Sequence, residues 1–72
     1  MSEVRSPAVG RVVELLVAAG DHVTAGQEIV IVESMKMEIP IAAETAGTVA
    51  SLAVAVGAQV QAGDLLLVLA HA

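Results

Sequence analysis

The stretch GRVVELLVAAGDHVTAGQEIVIV at residues 10–32 recurs 37 residues later as GTVASLAVAVGAQVQAGDLLLVL at residues 47–69. The two copies align without a gap, and both run through glycine, an apolar segment, a second glycine, a short polar segment, Ala-Gly and a last apolar segment. Two copies are too few for a solenoid. We therefore expect the two halves to bury their apolar faces against each other about a pseudo-two-fold axis. The identical pairs are Gly10/Gly47, Val12/Val49, Leu15/Leu52, Val17/Val54, Ala18/Ala55, Gly20/Gly57, Val23/Val60, Ala25/Ala62 and Gly26/Gly63.

The apolar segments are predicted to be strands, because many of their residues are β-branched and glycines interrupt them too often for ordinary helices. One or two helical turns in 12–17 are the alternative. Turns are expected at 20–21, 25–26, 57 and 62–64, where glycine or aspartate follows an apolar run. The predicted strands are 4–6, 10–17, 22–24, 28–34, 37–42, 47–53, 59–61 and 65–70.

The composition predicts one small domain, 1–72, with an aliphatic core. Hydrophobic residues make up 57% of the chain, and it contains no aromatic residue and no cysteine. The missing cysteines exclude disulfides and cysteine-ligated zinc, and they are compatible with the cytoplasmic location that we expect. The chain carries a net charge of −5 with three lysines and arginines, so we expect no nucleic-acid partner. The uncharged segment 45–63 is interpreted as two strands with their turns, not as a membrane span.

Between the two copies lies ESMKMEIP at residues 33–40, which contains Lys36, the single lysine of the chain. If Met35-Lys36 is a two-residue hairpin loop, Ser34 faces Met37, Glu33 faces Glu38, Val32 faces Ile39 and Val30 faces Ile41. Met37, Ile39 and Ile41 are then expected to point inward, with the Met37 stem partly in the core. Pro40 predicts an edge strand, because proline cannot donate to a ladder.

Two local preferences are broken in this hairpin. A two-residue loop favours Asn-Gly or Asp-Gly, since both central residues need a positive φ. Glu33 opposite Glu38 also places like charges across a strand pair. Broken preferences of this kind tend to occur at functional sites. A looser, unstrained turn with a solvated charged tip stays open as the alternative.

An exposed lysine among carboxylates is poorly suited to catalysis, because catalytic lysines need burial or a cationic neighbour. It is better suited as the target of another enzyme that supplies an activated acyl group. The other candidates are weak: His22 and His71 have no partner at metal-ligand spacing, so we predict no metal site and no catalytic residue. The chain is predicted not to be an enzyme in its own right.

The residues Glu33-Ser34-Met35-Lys36-Met37-Glu38 resemble the E-[AS]-M-K-M signature of the biotinyl/lipoyl attachment domain family, biotin branch. Further matches are Ser6-Pro7 with Gly10, Gly20-Asp21, Gly26-Gln27 and Ala46-Gly47-Thr48-Val49, so the resemblance covers essentially the whole chain. It implies an all-β fold of the hammerhead type. This fold is a flattened β-barrel, or sandwich, of two four-stranded antiparallel sheets with pseudo-two-fold symmetry.

The resemblance also implies a function. Biotin would be attached covalently to Lys36 by a biotin protein ligase, with Glu33, Met35 and Met37 in recognition by the ligase or other partners. The arm would then carry carboxyl from a biotin carboxylase to a carboxyltransferase. The methionines on both sides of the lysine favour biotin, because lipoyl domains usually have aspartate before it and alanine or serine after it.

Some features depart from the family pattern or leave alternatives. Ala8-Val9 replaces the Met-Pro often found after Ser-Pro, which we interpret as a packing change. The segment 17–20 is too short for the protruding thumb of some bacterial carriers, so the chain resembles a small free-standing, thumbless attachment protein or a domain of a longer carboxylase. A lipoyl-type carrier of a dehydrogenase complex and an unmodified structural or interaction domain are the alternatives. The substrate of the carboxylase is not encoded in these residues.

Overall fold

The structure is a computed structural model that describes residues 1–71. Between these residues the chain forms strands and turns, and it has no helix long and apolar enough to cross a membrane. The strands are β1 (Ser2–Arg5), β2 (Gly10–Leu15), β3 (His22–Val23), β4 (Glu28–Ser34), β5 (Met37–Ala42), β6 (Gly47–Leu52), β7 (Gln59–Val60) and β8 (Leu65–Ala70).

The strands form two four-stranded antiparallel sheets, ordered β1-β8-β6-β3 and β5-β4-β2-β7. The all-β fold with two packed sheets is confirmed. We call the second sheet the lysine sheet, because its β4 and β5 flank Met35-Lys36, and the first sheet the terminal sheet. The helical alternative for 12–17 is wrong, since this segment contributes most of β2.

The pseudo-two-fold symmetry extends to single hydrogen bonds. The Gly57 N–H donates to the Val12 carbonyl at 2.7 Å, and 37 residues away in each partner the Gly20 N–H donates to the Val49 carbonyl at 2.8 Å. The register repeats in the same way, with Val12 opposite Val32 in one sheet and Val49 opposite Leu69 in the other. The sequence repeat is therefore a repeat of backbone geometry.

The core lies between the sheets and is built from both halves. Ile29 and its equivalent Leu66 are both fully buried, as are Val32 and Leu69. A core of aliphatic side chains stabilises the fold by removing apolar area from water, at about 25 cal/mol per Å². The buried core residues are Val12, Val17, Val23, Ile29, Val30, Val32, Ile41, Ala43, Val49, Val60, Leu66, Leu67 and Leu69.

The first residue of each copy passes close to a neighbouring strand. A Cβ added to Gly10 would lie 2.2 Å from the Glu33 carbonyl oxygen and 2.8 Å from Val32 Cγ1. At the equivalent Gly47, the added Cβ would lie 2.7 Å from the Ala70 carbonyl oxygen. Because backbone atoms cannot yield as a flexible side chain does, both positions need glycine. Gly10 thereby fixes where β2 begins against the last turn of chain before the hairpin.

Both sheets have edges that are poor templates for another strand. β5 lies at an edge of the lysine sheet, as Pro40 predicted. β3 and β7 are two residues long, and β1 has an irregular register between Val4 and Arg5.

Strand ends differ from the prediction by one or two residues in five of the eight strands. The largest difference is in β1, which was predicted at 4–6 and spans Ser2–Arg5. It begins early because Ser2 pairs with Leu69 of β8. It ends early because the Ser6 backbone bonds to Asp64 and Gly63 in the next turn, while Ser6 Oγ bonds to the Ala8 carbonyl. β2, β3, β6 and β7 each end before the predicted residue.

We expect Gly10→Ala to lower the free energy of unfolding by about 3 kcal/mol, because the methyl group must displace the Glu33 carbonyl. Gly20→Ala is the matched control: its φ is +94° and nothing lies within 4 Å of an added Cβ, so it should lose only about 1 kcal/mol of backbone strain. Urea unfolding followed by far-UV circular dichroism measures both. Equal losses in the two variants would show that the close approach at Gly10 is relieved without cost.

Candidate functional site

The hairpin between β4 and β5 has the predicted register. Ser34 is opposite Met37, Glu33 opposite Glu38, Val32 opposite Ile39 and Val30 opposite Ile41. Met35 and Lys36 form the two-residue loop with φ values of 51° and 64°, and they are the only non-glycine residues with positive φ in residues 1–71. The looser, unstrained turn is therefore wrong. Two unfavourable backbone conformations are concentrated at the one lysine of the chain.

The hairpin tip extends beyond the core. Met35 is 94% exposed and Met37 is 68% exposed. The expectation that the Met37 stem lies partly in the core is wrong, although Met37 is in phase with the half-buried Ile39 and the buried Ile41. The inward direction is correct, but at Met37 no opposite sheet remains to cover it. Both methionines thus present apolar surface to solvent beside Lys36.

Lys36 is open to solvent and has no ion-pair partner among residues 1–71. A groove of about 150 Å³ lies between β1 and the end of β5, lined by Ser2–Arg5, residues 41, 42, 44 and 45, and Leu69. It does not include Lys36. The lysine amine therefore fits covalent attachment of a long cofactor arm that must move freely, and no pocket at the tip would hold such an arm down.

A row of charged side chains crosses the lysine sheet just below the tip. Glu33 lies opposite both Glu38 and Arg11, and Arg11 lies opposite Gln59. Arg11 Nη2 approaches Glu33 Oε1 at 3.7 Å, and both side chains are about half exposed. Such a pair is weak in stability terms. It places a positive charge beside the two facing carboxylates and reduces their repulsion.

The terminal sheet supplies an internal comparison for this row. The residues equivalent to Arg11 and Glu33 are Thr48 and Ala70, which are also opposite each other. Thr48 pairs on its other side with His22. The same backbone therefore folds with an uncharged row, so the charges at the lysine end are not required by the fold.

The two histidines have local structural contacts. His22 Nδ1 lies 3.1 Å from Thr48 Oγ1. His71 lies 3.0 Å from the Ala46 carbonyl through Nδ1 and 2.6 Å from Ser2 Oγ through Nε2. Among residues 1–71 there is no group of three or more histidine, cysteine, aspartate or glutamate side chains placed to hold a metal ion.

Two features near the site did not emerge from the sequence pattern. Arg11 was not singled out, although the repeat alignment shows an arginine where the second copy has Thr48. Val9 was interpreted as part of a packing change, but it is 56% exposed. Only the structure places both residues at the lysine end of the molecule.

Comparison with known sequences decides the family. The sequence profile of the family "Biotin-requiring enzyme", the biotin/lipoyl attachment family, matches residues 2–69. The chain belongs to this family. Its domains are generally carriers without catalytic activity of their own, in carboxylase or dehydrogenase systems.

Two relatives of this family member have names that refer to biotin. The "Biotinylated protein TB7.3 homolog" of Mycobacterium leprae is 46% identical over 67 residues, which cover 93% of this chain and 94% of that protein. The "Biotin carboxyl carrier protein" of Streptococcus mutans is 43% identical over 65 residues, which cover 90% of this chain and half of that protein.

Solved structures from both branches of the family have the same fold. The urea carboxylase of Kluyveromyces lactis superposes with a TM-score of 0.90 at 36% identity, over 96% of this chain and 6% of the enzyme. The lipoyl domain of the 2-oxoglutarate dehydrogenase complex of Azotobacter vinelandii superposes with a TM-score of 0.84 at 26% identity, over 99% of this chain and 98% of that domain. The fold is therefore shared, and the cofactor depends on local residues.

We expect the double variant Met35→Asn/Lys36→Gly to raise the free energy of unfolding by about 2 kcal/mol, because Asn-Gly accepts the positive φ values that Met-Lys must adopt. Met37→Ala, in the adjacent strand, is the control and should change stability little, because Met37 is exposed. Thermal and urea unfolding measure both. A double variant no more stable than the parent would show that the tip stores no strain.

Proposed function

We propose that this chain is the biotin carboxyl carrier of a biotin-dependent carboxylase, with biotin joined to Lys36 by a biotin protein ligase. The observation that carries the proposal is the tip itself. A single lysine stands between two exposed methionines in a loop with two positive φ values, at the junction of two symmetric halves. The fold holds this lysine away from every other part of the domain.

The proposal assigns Lys36 as the acceptor of an acyl group. Its amine is exposed and its nearest charged neighbours in the sheet are Glu33 and Glu38, whose carboxylates favour the protonated amine. The ligase must therefore supply both the activated biotin carboxyl group and a group that removes the proton. The chain contributes position, because a rigid two-residue loop presents the amine with few accessible orientations.

Tethering is the chain's contribution after loading. Biotin, when bound, accepts a carboxyl group at one enzyme site and releases it at another. We propose a biotin carboxylase and a carboxyltransferase as the partners with these two sites. A covalent arm replaces diffusion of free cofactor by a high effective concentration at both sites. The carboxylase among the solved structures supports this assignment.

Biotin is preferred over lipoate because of the residues beside the lysine. Met35 and Met37 are both exposed and can contact a ligase, and the names of two relatives refer to biotin. We propose Glu33 as a further recognition residue, since it lies at the base of the hairpin and its side chain is partly exposed. The whole chain, 1–72, acts in this proposal as one carrier domain, and we place it in the cytoplasm.

A lipoyl carrier of a dehydrogenase complex is the second candidate. The observation that favours it is the lipoyl domain of Azotobacter vinelandii, which the structure matches over nearly the full length of both chains. The two candidates require different ligases for the same lysine, so they are separated by the mass of the group added.

Intact-mass analysis after incubation with biotin protein ligase, biotin and ATP tests the proposal. We expect the mass of one biotinyl group, mapped to Lys36 by peptide sequencing, and no addition in Lys36→Arg, which keeps the charge and removes the acceptor amine. Lys36→Arg should keep the parent's circular dichroism spectrum, because the tip contributes nothing to the core. Addition of a lipoyl group by lipoate ligase, with none by biotin ligase, would select the second candidate.

Glu33→Gln should lower kcat/KM for biotin attachment about fivefold, because the ligase loses one charged contact at the base of the hairpin. Glu3→Gln is the control: Glu3 is also half exposed and ion-paired, to Arg5 at 2.7 Å, but it lies on the terminal sheet. A rate for Glu33→Gln equal to that of the control would remove Glu33 from the recognition residues.

A further inference from the structure

Val9 is an exposed valine at the lysine end of the molecule. It is 56% exposed, and it directly precedes Gly10, which lies against the Glu33 carbonyl. Arg11 is opposite Glu33, so continuing this antiparallel register places Val9 level with Met35. Adjacent strands are about 4.8 Å apart. Val9 therefore lies beside the base of the loop that carries Lys36.

Exposed apolar side chains are concentrated at this end. Among the described residues, the large apolar side chains with high exposure are Met1, Val9, Leu16, Met35, Met37 and Val56. Three of these six, Val9, Met35 and Met37, are at the lysine end. We call these three residues the tip patch. The other three are separated from the tip patch and from one another along the fold.

The symmetric end of the molecule shows that Val9 is not needed for the fold. The residue equivalent to Val9 is Ala46, which is exposed and whose carbonyl contacts His71. The backbone thus tolerates a small side chain at this position. A branched apolar side chain facing water gains nothing from burial in the free domain, so its benefit must come from a second molecule.

The size of an enzyme interface supports the same conclusion. A specific interface covers about 800 Å² on each partner, whereas the whole described chain exposes 4137 Å². A circular patch of about 800 Å² has a radius of about 16 Å. Any enzyme that takes Lys36 into its active site with a contact of this size therefore covers Val9 as well as the two methionines.

We propose that Val9 is a specificity residue for the enzyme that acylates Lys36. It forms one apolar docking surface with Met35 and Met37. The partner is an enzyme with an apolar depression at the entrance to its acyl-adenylate site, and the tip patch fills this depression while Glu33 and Glu38 lie at its rim. The inference rests on the proposed function, because it assumes that Lys36 is acylated.

The test compares two exposed valines in the same chain. Val9→Ser and Val56→Ser remove similar side chains, since Val56 is 62% exposed and lies in the turn before β7, away from the tip. We expect Val9→Ser to lower kcat/KM for biotin attachment about 3- to 10-fold, mainly through KM, and Val56→Ser to stay within twofold of the parent. Val9→Ile should retain the parent rate.

Two controls keep the outcomes distinct. Val9→Thr preserves the shape and strand preference of valine, so a loss in Val9→Thr at an unchanged urea midpoint reports polarity and not unfolding. Equal rates in Val9→Ser, Val56→Ser and the parent overturn the docking role while the proposed function stands. If the chain is lipoylated instead, the proposed function fails, and the same variants test the tip patch with lipoate ligase. A Lys36 that neither ligase acylates overturns both.

Discussion

The structure depends on the mutual burial of two faces that cannot be covered separately. Each half contributes one apolar surface made of valine, leucine and isoleucine, and neither half has an aromatic side chain that could close a core alone. Because a chain of this size buries only about 60% of its unfolded surface, the two surfaces must meet with little waste. Equivalent residues such as Ile29 and Leu66 are accordingly both fully buried. The link between the halves is then left outside the core, and this link is the hairpin with Lys36.

The same constraint explains how far the sequence could predict the structure. The repeat of glycines, β-branched segments and polar turns indicated two matching sheets, because these features act locally and recur in the same order. The hairpin register could be predicted for the same reason, since a two-residue loop leaves one pairing for Glu33 and Glu38. The positive φ values of Met35 and Lys36 followed directly from that pairing.

Other features depended on where the opposite sheet ends, which a sequence pattern does not contain. Met37 has the phase of a core residue, but it lies beyond the edge of the facing sheet. Val9 looked like a packing substitution because its neighbours Ser6 and Gly10 are held by close contacts, yet its own side chain points to water. Arg11 gained meaning only when the register placed it beside Glu33. Exposure at the end of a sandwich is a property of three-dimensional shape, and it determines which residues a partner can touch.

The edges of the two sheets have a consequence for how the molecule behaves in a crowded solution. More than half of the chain is hydrophobic and its mean hydropathy is +0.85, a composition that favours aggregation wherever unpaired strands are accessible. Here the open edges are two very short strands, an irregular one and β5, which proline interrupts. Strand addition is therefore disfavoured at every edge. A second copy or a partner is directed to side chains, and a carrier that visits several enzymes avoids being captured through its backbone.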